Sequence, residues 1–227
     1  MKDIFFIHGV YHGCWCWEDD FLKKFRDNGY YIHCPNLREY TEKDHKESLL
    51  LTYTEHLHRI VKKCGQKAIV AVHSAYSIVL LEYLKRYSDT LEAVIFITPI
   101  AMNKPLPRIL FSGICQIFQT KETVFFTNRL NDTTAKKYIS QLCTEENAFT
   151  METSKKHWNN NNHTDVPLLF IGSENDKCVK ASWVRENAKI FGSPCIIYNE
   201  MCHDMMLDPQ REKLADDILD FLKGGKK

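Results

Sequence analysis

Three polar residues, each set just after a short apolar run, could together attack a carboxylic ester. Ser74 follows Ala68 to Val72 and opens a helical pattern, the place where a strand-turn-helix connection lifts a hydroxyl out of a sheet. Asp176 lies in the loop Gly172-Ser173-Glu174-Asn175-Asp176 after Val166 to Ile171, and His203 follows Pro194 to Tyr198 in Met201-Cys202-His203-Asp204. A serine hydroxyl is too weak an acid to attack a carbonyl unaided near neutral pH, so it needs a base whose own titration falls there, and imidazole supplies one. His203 is expected to be that base, and Asp176 to fix its tautomer and stabilise the imidazolium formed during attack. An oxyanion would be met by backbone amides, that of Ala75 at a helix N-terminus and that of Val10 or Tyr11 in the loop after the first apolar run.

Each of these residues has a plainer reading. A serine after a strand often only caps a helix, a loop histidine is often only solvated, and Glu174 competes with Asp176 for the acidic role. His8, His12 and His73 read as structural groups that satisfy loop or backbone atoms. Cys202, Cys14 and Cys16 invite a thiol or metal reading, but there is no Cys-x-x-Cys pair and no second ligand pair, so neither a metal nor another cofactor is expected.

The elements that must position these residues alternate. Ile4 to Ile7 is a continuous apolar run ending at His8-Gly9, as in a strand buried on both faces. Trp15 to Asn28 has a helical apolar stripe closed by Gly29, Tyr30 to Cys34 reads as a strand, and Leu49 to Cys64 as a helix after the polar loop Arg38 to Glu47. Ala68 to Val72, Ala75 to Arg86 and Ala93 to Ile97 continue the rhythm. Such alternation predicts a mostly parallel α/β sheet of about six strands flanked by helices. Residues 102–165 break it and read as a small helical cap inserted into a single domain spanning 1–227. Within it, Leu106 to Phe118 is either the cap's packed face or the lining of an acyl pocket, and Asn159 to Asn162 is a loop. Ala181 to Phe191 is a further helix, and Asp208-Pro209 is expected to open a closing helix to Leu222.

Composition narrows the partners. The 227 residues carry 30 basic and 29 acidic side chains, a net charge of +1 that gives no field for nucleic acid or an anionic membrane. The apolar stretch Ile109 to Phe118 is far shorter than the roughly 20 residues of a membrane span. Nine scattered cysteines and a start that lacks secretory features lead to the expectation of reduced thiols in the cytoplasm. The expected partner is a small-molecule ester substrate, and no feature sets an oligomeric state.

With these residues in view, the blocks His8-Gly9-Val10-Tyr11-His12-Gly13-Cys14-Trp15-Cys16-Trp17, His73-Ser74, the Asp176 loop and His203-Asp204-Met205-Met206-Leu207-Asp208-Pro209 resemble the α/β-hydrolase superfamily nearly end to end. The first block is similar to small esterases of the plant methylesterase and hydroxynitrile lyase group, and the last to bacterial lysophospholipase-like hydrolases. The resemblance implies a Ser-His-Asp serine esterase with a small helical cap, its sheet beginning at the superfamily's third strand. It also implies hydrolysis rather than cyanohydrin cleavage, because lyases of that group carry threonine at the position of Gly9 and lysine where this chain has Asp204.

One departure stands out. The superfamily elbow is Gly-x-Ser-x-Gly, since the serine is strained and its neighbours approach closely. Here it reads Val72-His73-Ser74-Ala75-Tyr76. Either neighbouring strands yield space, leaving an ester hydrolase that works through an acyl-enzyme, or the elbow has relaxed and the chain is a catalytically impaired small-molecule binding protein on the same fold. Cleavage of an amide or carbon-carbon bond by the same residues is a third reading.

Overall fold

The computed structural model describes residues 1–39, 48–103, 125–126, 129–144, 149, 152, 154 and 163–224. Six parallel strands, β1 (Lys2–Ile7), β2 (Tyr30–His33), β3 (Ala68–His73), β4 (Leu91–Ile97), β5 (Leu168–Ser173) and β6 (Cys195–Tyr198), form one sheet in the order β2-β1-β3-β4-β5-β6. Between them run α1 (Asp19–Asp27), α2 (Leu49–Lys62), α3 (Ser77–Tyr87), α4 (Asp132–Gln141) and α5 (Ala181–Phe191), and α6 (Arg211–Leu222) follows β6.

The continuous apolar runs are explained by burial on two faces. Successive side chains of a strand point to opposite sides. Phe5 and Ile7 of β1, Val70 and Val72 of β3 and Phe96 of β4 therefore pack with α2, α3 and α5 through Tyr53, Leu57, Ile78, Leu81 and Val184. Ile4, Phe6, Ala71 and Ile95 face the other way, onto Phe21, Leu22 and Phe25 of α1 and Leu214 and Ile218 of α6.

The strand order places the site. From β1 the chain moves outward to β2, then crosses back to the other side of β1 to form β3. The connections leaving β1 and β3 thus run in opposite directions, which opens a crevice beyond their carboxyl ends, the usual ligand position of a doubly wound sheet. The loop of Val10 and Tyr11 follows one of these strands and Ser74 follows the other.

Several boundaries differ from the sequence expectation. The helix expected from Trp15 begins at Asp19, after a short 3-10 turn at Cys14–Cys16. Its first turn carries Asp19 and Asp20, where acidic groups complement the helix dipole. The helix expected from Ala75 is likewise split into a 3-10 turn at Ser74–Tyr76 and α3. The closing helix starts at Arg211 rather than at Asp208-Pro209. Asp208 folds back instead. Its carboxylate accepts the backbone N–H groups of Gln210 and Cys202 at 2.9 and 3.2 Å, and Arg129 Nη2 lies 2.9 Å from both of its oxygens.

Most of residues 102–165, including Leu106 to Phe118 and Asn159 to Asn162, lies outside the described residues. The described part includes α4, capped by the Asn131 side chain on the Thr134 amide at 2.9 Å. The α4 residue Tyr138 is buried against Trp15 with ring centroids 6.2 Å apart. Among the described residues no helix is long and apolar enough to cross a membrane, and Cys14, Cys16, Cys34, Cys64, Cys143, Cys178, Cys195 and Cys202 are free thiols.

Candidate active site

Ser74 is the first residue after β3 and has φ of 56°, in the left-handed region that a residue with a Cβ adopts at a cost of about 1–3 kcal/mol. That turn lifts the side chain from the sheet toward the loop after β6. Ser74 Oγ lies 3.0 Å from His203 Nε2, and His203 Nδ1 lies 2.8 Å from Asp176 Oδ2. The three side chains are brought together in one hydrogen-bonded row, with the imidazole between the hydroxyl and the carboxylate.

Asp176 is fixed by its own loop. Its Oδ1 accepts the backbone N–H groups of Cys178 and Val179 at 2.7 and 2.9 Å, which leaves Oδ2 for the imidazole. Glu174, the competitor, turns outward, half exposed, and pairs with Arg185 of α5. Burial of His203 opposes its protonation, but the negative charges of Asp176 and Asp204 outweigh burial and raise its pKa above the ordinary value of 6.5. The ring thus sits beside carboxylates that favour the imidazolium formed when it accepts a proton.

The elbow keeps its strained form without its glycines, and the reason lies in two places. Tyr76 and Val72 are fully buried in the layer between the sheet and α2–α3, where the Tyr76 ring stacks on Tyr53 with centroids 5.7 Å apart and meets Phe149 at 4.8 Å. On the opposite side the close approach is made by Gly9. A Cβ there would stand 2.6 Å from His73 Nδ1 and 3.2 Å from Ser74 Cβ, so the loop after β1 lies on the elbow at a distance only glycine permits.

That loop is the expected source of oxyanion donors. Val10 and Ala75 are buried, and Tyr11 has φ of 68°, a second strained non-glycine residue. The loop is closed by the His12 amide on Gly9 O at 3.2 Å, and the Cys143 amide holds Tyr11 O at 2.9 Å.

The neighbouring histidines are partnered. His8 bonds Gly9 O at 2.9 Å and Asn36 Oδ1 at 3.1 Å, and its burial lowers its pKa to about 4. His73 Nε2 donates to His203 O at 3.2 Å, and burial, with His203 and His12 nearby, holds its pKa well below the usual range. His12 Nδ1 meets Val10 O at 2.7 Å and Nε2 meets Asp204 Oδ2 at 2.7 Å. In the sequence alone His12 reads as structural, and Asp204 counts only against a lyase. Their link across 192 positions carries no signal in the order of residues. Phe125 is a further contact it missed, its ring 5.9 Å from His203 and 5.3 Å from His12.

Three groups among the described residues stand close enough to share an ion: Asp3, His33 and Cys64; His12, His73 and Asp204; and Asp176, Cys178 and His203. In each, the imidazole and carboxylate are bonded to one another, at 2.7 Å for His33–Asp3 and for His12–Asp204 and at 2.8 Å for His203–Asp176.

Comparison with known proteins agrees with this architecture. The family model described as TAP-like protein, an α/β-hydrolase model, matches residues 131–227, less than half of the chain. No curated protein matches in sequence. Among solved structures, a thermophilic esterase from Thermogutta terrifontis is 13% identical with a TM-score of 0.78, the match covering 100% of this chain and 91% of that one. A bromoperoxidase from Bacillus anthracis is 14% identical at TM-score 0.78, covering 98% and 92%, and a methylesterase from Arabidopsis is 13% identical at 0.73, covering 98% and 99%. At these identities the likeness is one of fold. The chain is an α/β-hydrolase-fold protein that resembles small esterases.

Proposed function

We propose that the protein hydrolyses a carboxylic ester of a small molecule through Ser74, with His203 as general base and Asp176 as its orienting carboxylate. The single observation that carries this reading is the unbroken chain from Asp176 Oδ2 to His203 Nδ1 at 2.8 Å and from His203 Nε2 to Ser74 Oγ at 3.0 Å, built on a strained turn. Ser74 Oγ attacks the ester carbonyl as its proton passes to His203 Nε2. The oxyanion is received by the amides of Ala75 and of Val10 or Tyr11, and His203 returns the proton to the departing alcohol. Water, deprotonated by the same imidazole, then attacks the acyl-enzyme, and the acid is released as His203 returns that proton to Ser74 Oγ.

The alternative of a small-molecule binder rested on a relaxed elbow, and the geometry at Ser74 gives it no support, because Val72 and Tyr76 are absorbed by the layer beneath. Turnover of short p-nitrophenyl esters by the purified protein tests the proposal. Wild type is expected to give saturable hydrolysis that Ser74→Ala lowers by about 10³-fold or more; equal rates for the two proteins would refute it.

A further inference from the structure

We propose that His12 is a positioning residue, held as an imidazolium between the Val10 carbonyl and the Asp204 carboxylate, and that this bridge locks the oxyanion loop to the loop carrying His203. The inference deepens the ester-hydrolase reading and rests on it for its kinetic arm.

The protonation state follows from the partners. His12 Nδ1 lies 2.7 Å from a carbonyl oxygen and Nε2 lies 2.7 Å from a carboxylate oxygen. A carbonyl oxygen cannot donate and Asp204 as a carboxylate only accepts, so with Asp204 ionised both ring nitrogens donate, which an imidazole does only when protonated. The site is almost fully closed, with the His12 and Asp204 side chains 1% and 0% exposed, so the cation and anion compensate each other away from water. The ring is boxed in by Trp15, stacked at 5.3 Å, by the edge of Phe125 at 5.3 Å and by His73 at 5.7 Å. The titratable and charged groups that face it are Asp204, His73, whose proton is engaged by His203 O, His8, and Arg38, which bonds the His12 carbonyl.

What the bridge holds is mechanically specific. Tyr11, between the two anchored residues Val10 and His12, is in the left-handed region, a state that persists only where surrounding bonds over-determine it. Asp204 directly follows His203, and its own amide bonds Phe125 O at 3.0 Å. Through one ring, the backbone expected to receive the oxyanion is therefore fixed to the backbone that carries the base. Loss of either bond frees the loop to settle out of the strained turn, and displacement of about 1 Å at a reacting group costs about a hundredfold in rate.

Nitrogen-15 spectra of His12 in the wild-type protein at neutral pH test the first half. Both ring nitrogens are expected to be protonated, and a neutral ring would overturn the proposal whether or not the protein is an esterase. The second half is tested by His12→Asn, which can keep a donor near Val10 O, and His12→Gln, which can keep one near Asp204, together with Asp204→Asn. Each is expected to lower kcat for p-nitrophenyl esters by about 10- to 100-fold with KM within about twofold. A trifluoromethyl ketone, which forms a tetrahedral adduct on the serine, should lose affinity by the same factor. The double variant His12→Gln with Asp204→Asn is expected to be no slower than the slower single one. Variants that melt earlier but keep wild-type kcat and inhibitor affinity well below their melting temperatures would reduce His12 to a stability role and overturn the proposal. If wild type itself shows no Ser74-dependent turnover, the ester-hydrolase reading fails, and the nitrogen spectrum alone decides the bridge.

Discussion

Gly9 and His73 approach so closely that a single added carbon on Gly9 would stand 2.6 Å from the His73 ring. The loop after β1 and the turn after β3 are thus packed main chain on side chain, on the side of the elbow opposite the layer that holds the Val72 and Tyr76 side chains. Gly9→Ala is expected to displace that loop and lower kcat/KM for p-nitrophenyl esters by about 10- to 100-fold, read by steady-state kinetics, because an oxyanion donor moved from its position loses most of its value. Unchanged kinetics would mean that the loop contributes no donor.

Restoring the missing glycine at Tyr76 is expected to harm rather than help. The Tyr76 side chain is fully buried against Tyr53 and Phe149. Tyr76→Gly leaves a cavity in that layer and places a flexible residue before α3, a loss of about 4 kcal/mol in urea unfolding. No rise in turnover should accompany it, since the elbow already has its strained φ.

Activity should rise with pH along a limb set by His203, because only the neutral ring accepts the serine proton. The carboxylates of Asp176 and Asp204 raise that pKa above 6.5 against the effect of burial. Asp176→Asn removes an anion that favours the imidazolium, so the limb is expected to move to lower pH while kcat falls by about 10³- to 10⁴-fold, as the imidazole loses its orienting partner. A limb that stays in place in this variant would separate His203 from the pH dependence.

Stability should fall on acidification. His8 is fully buried with its pKa lowered to about 4, so between pH 6.5 and about 4 the unfolded chain takes up a proton that the folded one refuses. The stability present above pH 6.5 is lost progressively through that window, by about 3 kcal/mol from His8 alone, and the strongly lowered His73 acts in the same direction. Urea midpoints measured from pH 7 to pH 4.5 are expected to fall, and less steeply in His8→Gln.

Much of this architecture is written locally in the chain. Ile4 to Ile7, Ala68 to Val72 and Ala93 to Ile97 are short, continuously apolar runs that alternate with helical patterns, which favours strands buried on both faces, and the structure extends β3 and β4 only slightly at their ends. The positions just past these strands could be picked out because a parallel sheet gathers its loop residues at one edge. What was not legible depends on distance in space. Tyr76 as a wedge in the elbow could be weighed only once Tyr53 and Phe149 were beside it. The Asp208 side chain caps its own turn rather than the closing helix because Arg129 and the Cys202 amide reach it from other segments. Asp176 rather than Glu174 lies against His203 because two backbone amides of the same loop hold its other oxygen, and the order of residues does not encode their directions.

The proposed nucleophile can be interrogated without knowing the natural substrate. A fluorophosphonate reacts with a serine only when an adjacent base and oxyanion donors activate it. Incubation of the intact protein with the probe, followed by mass spectrometry of the digested adduct, is expected to give one phosphonyl group per chain, located on Ser74, and none in Ser74→Ala or His203→Ala. A wild-type protein that stays unmodified, or is modified equally in Ser74→Ala, would contradict the account at its centre.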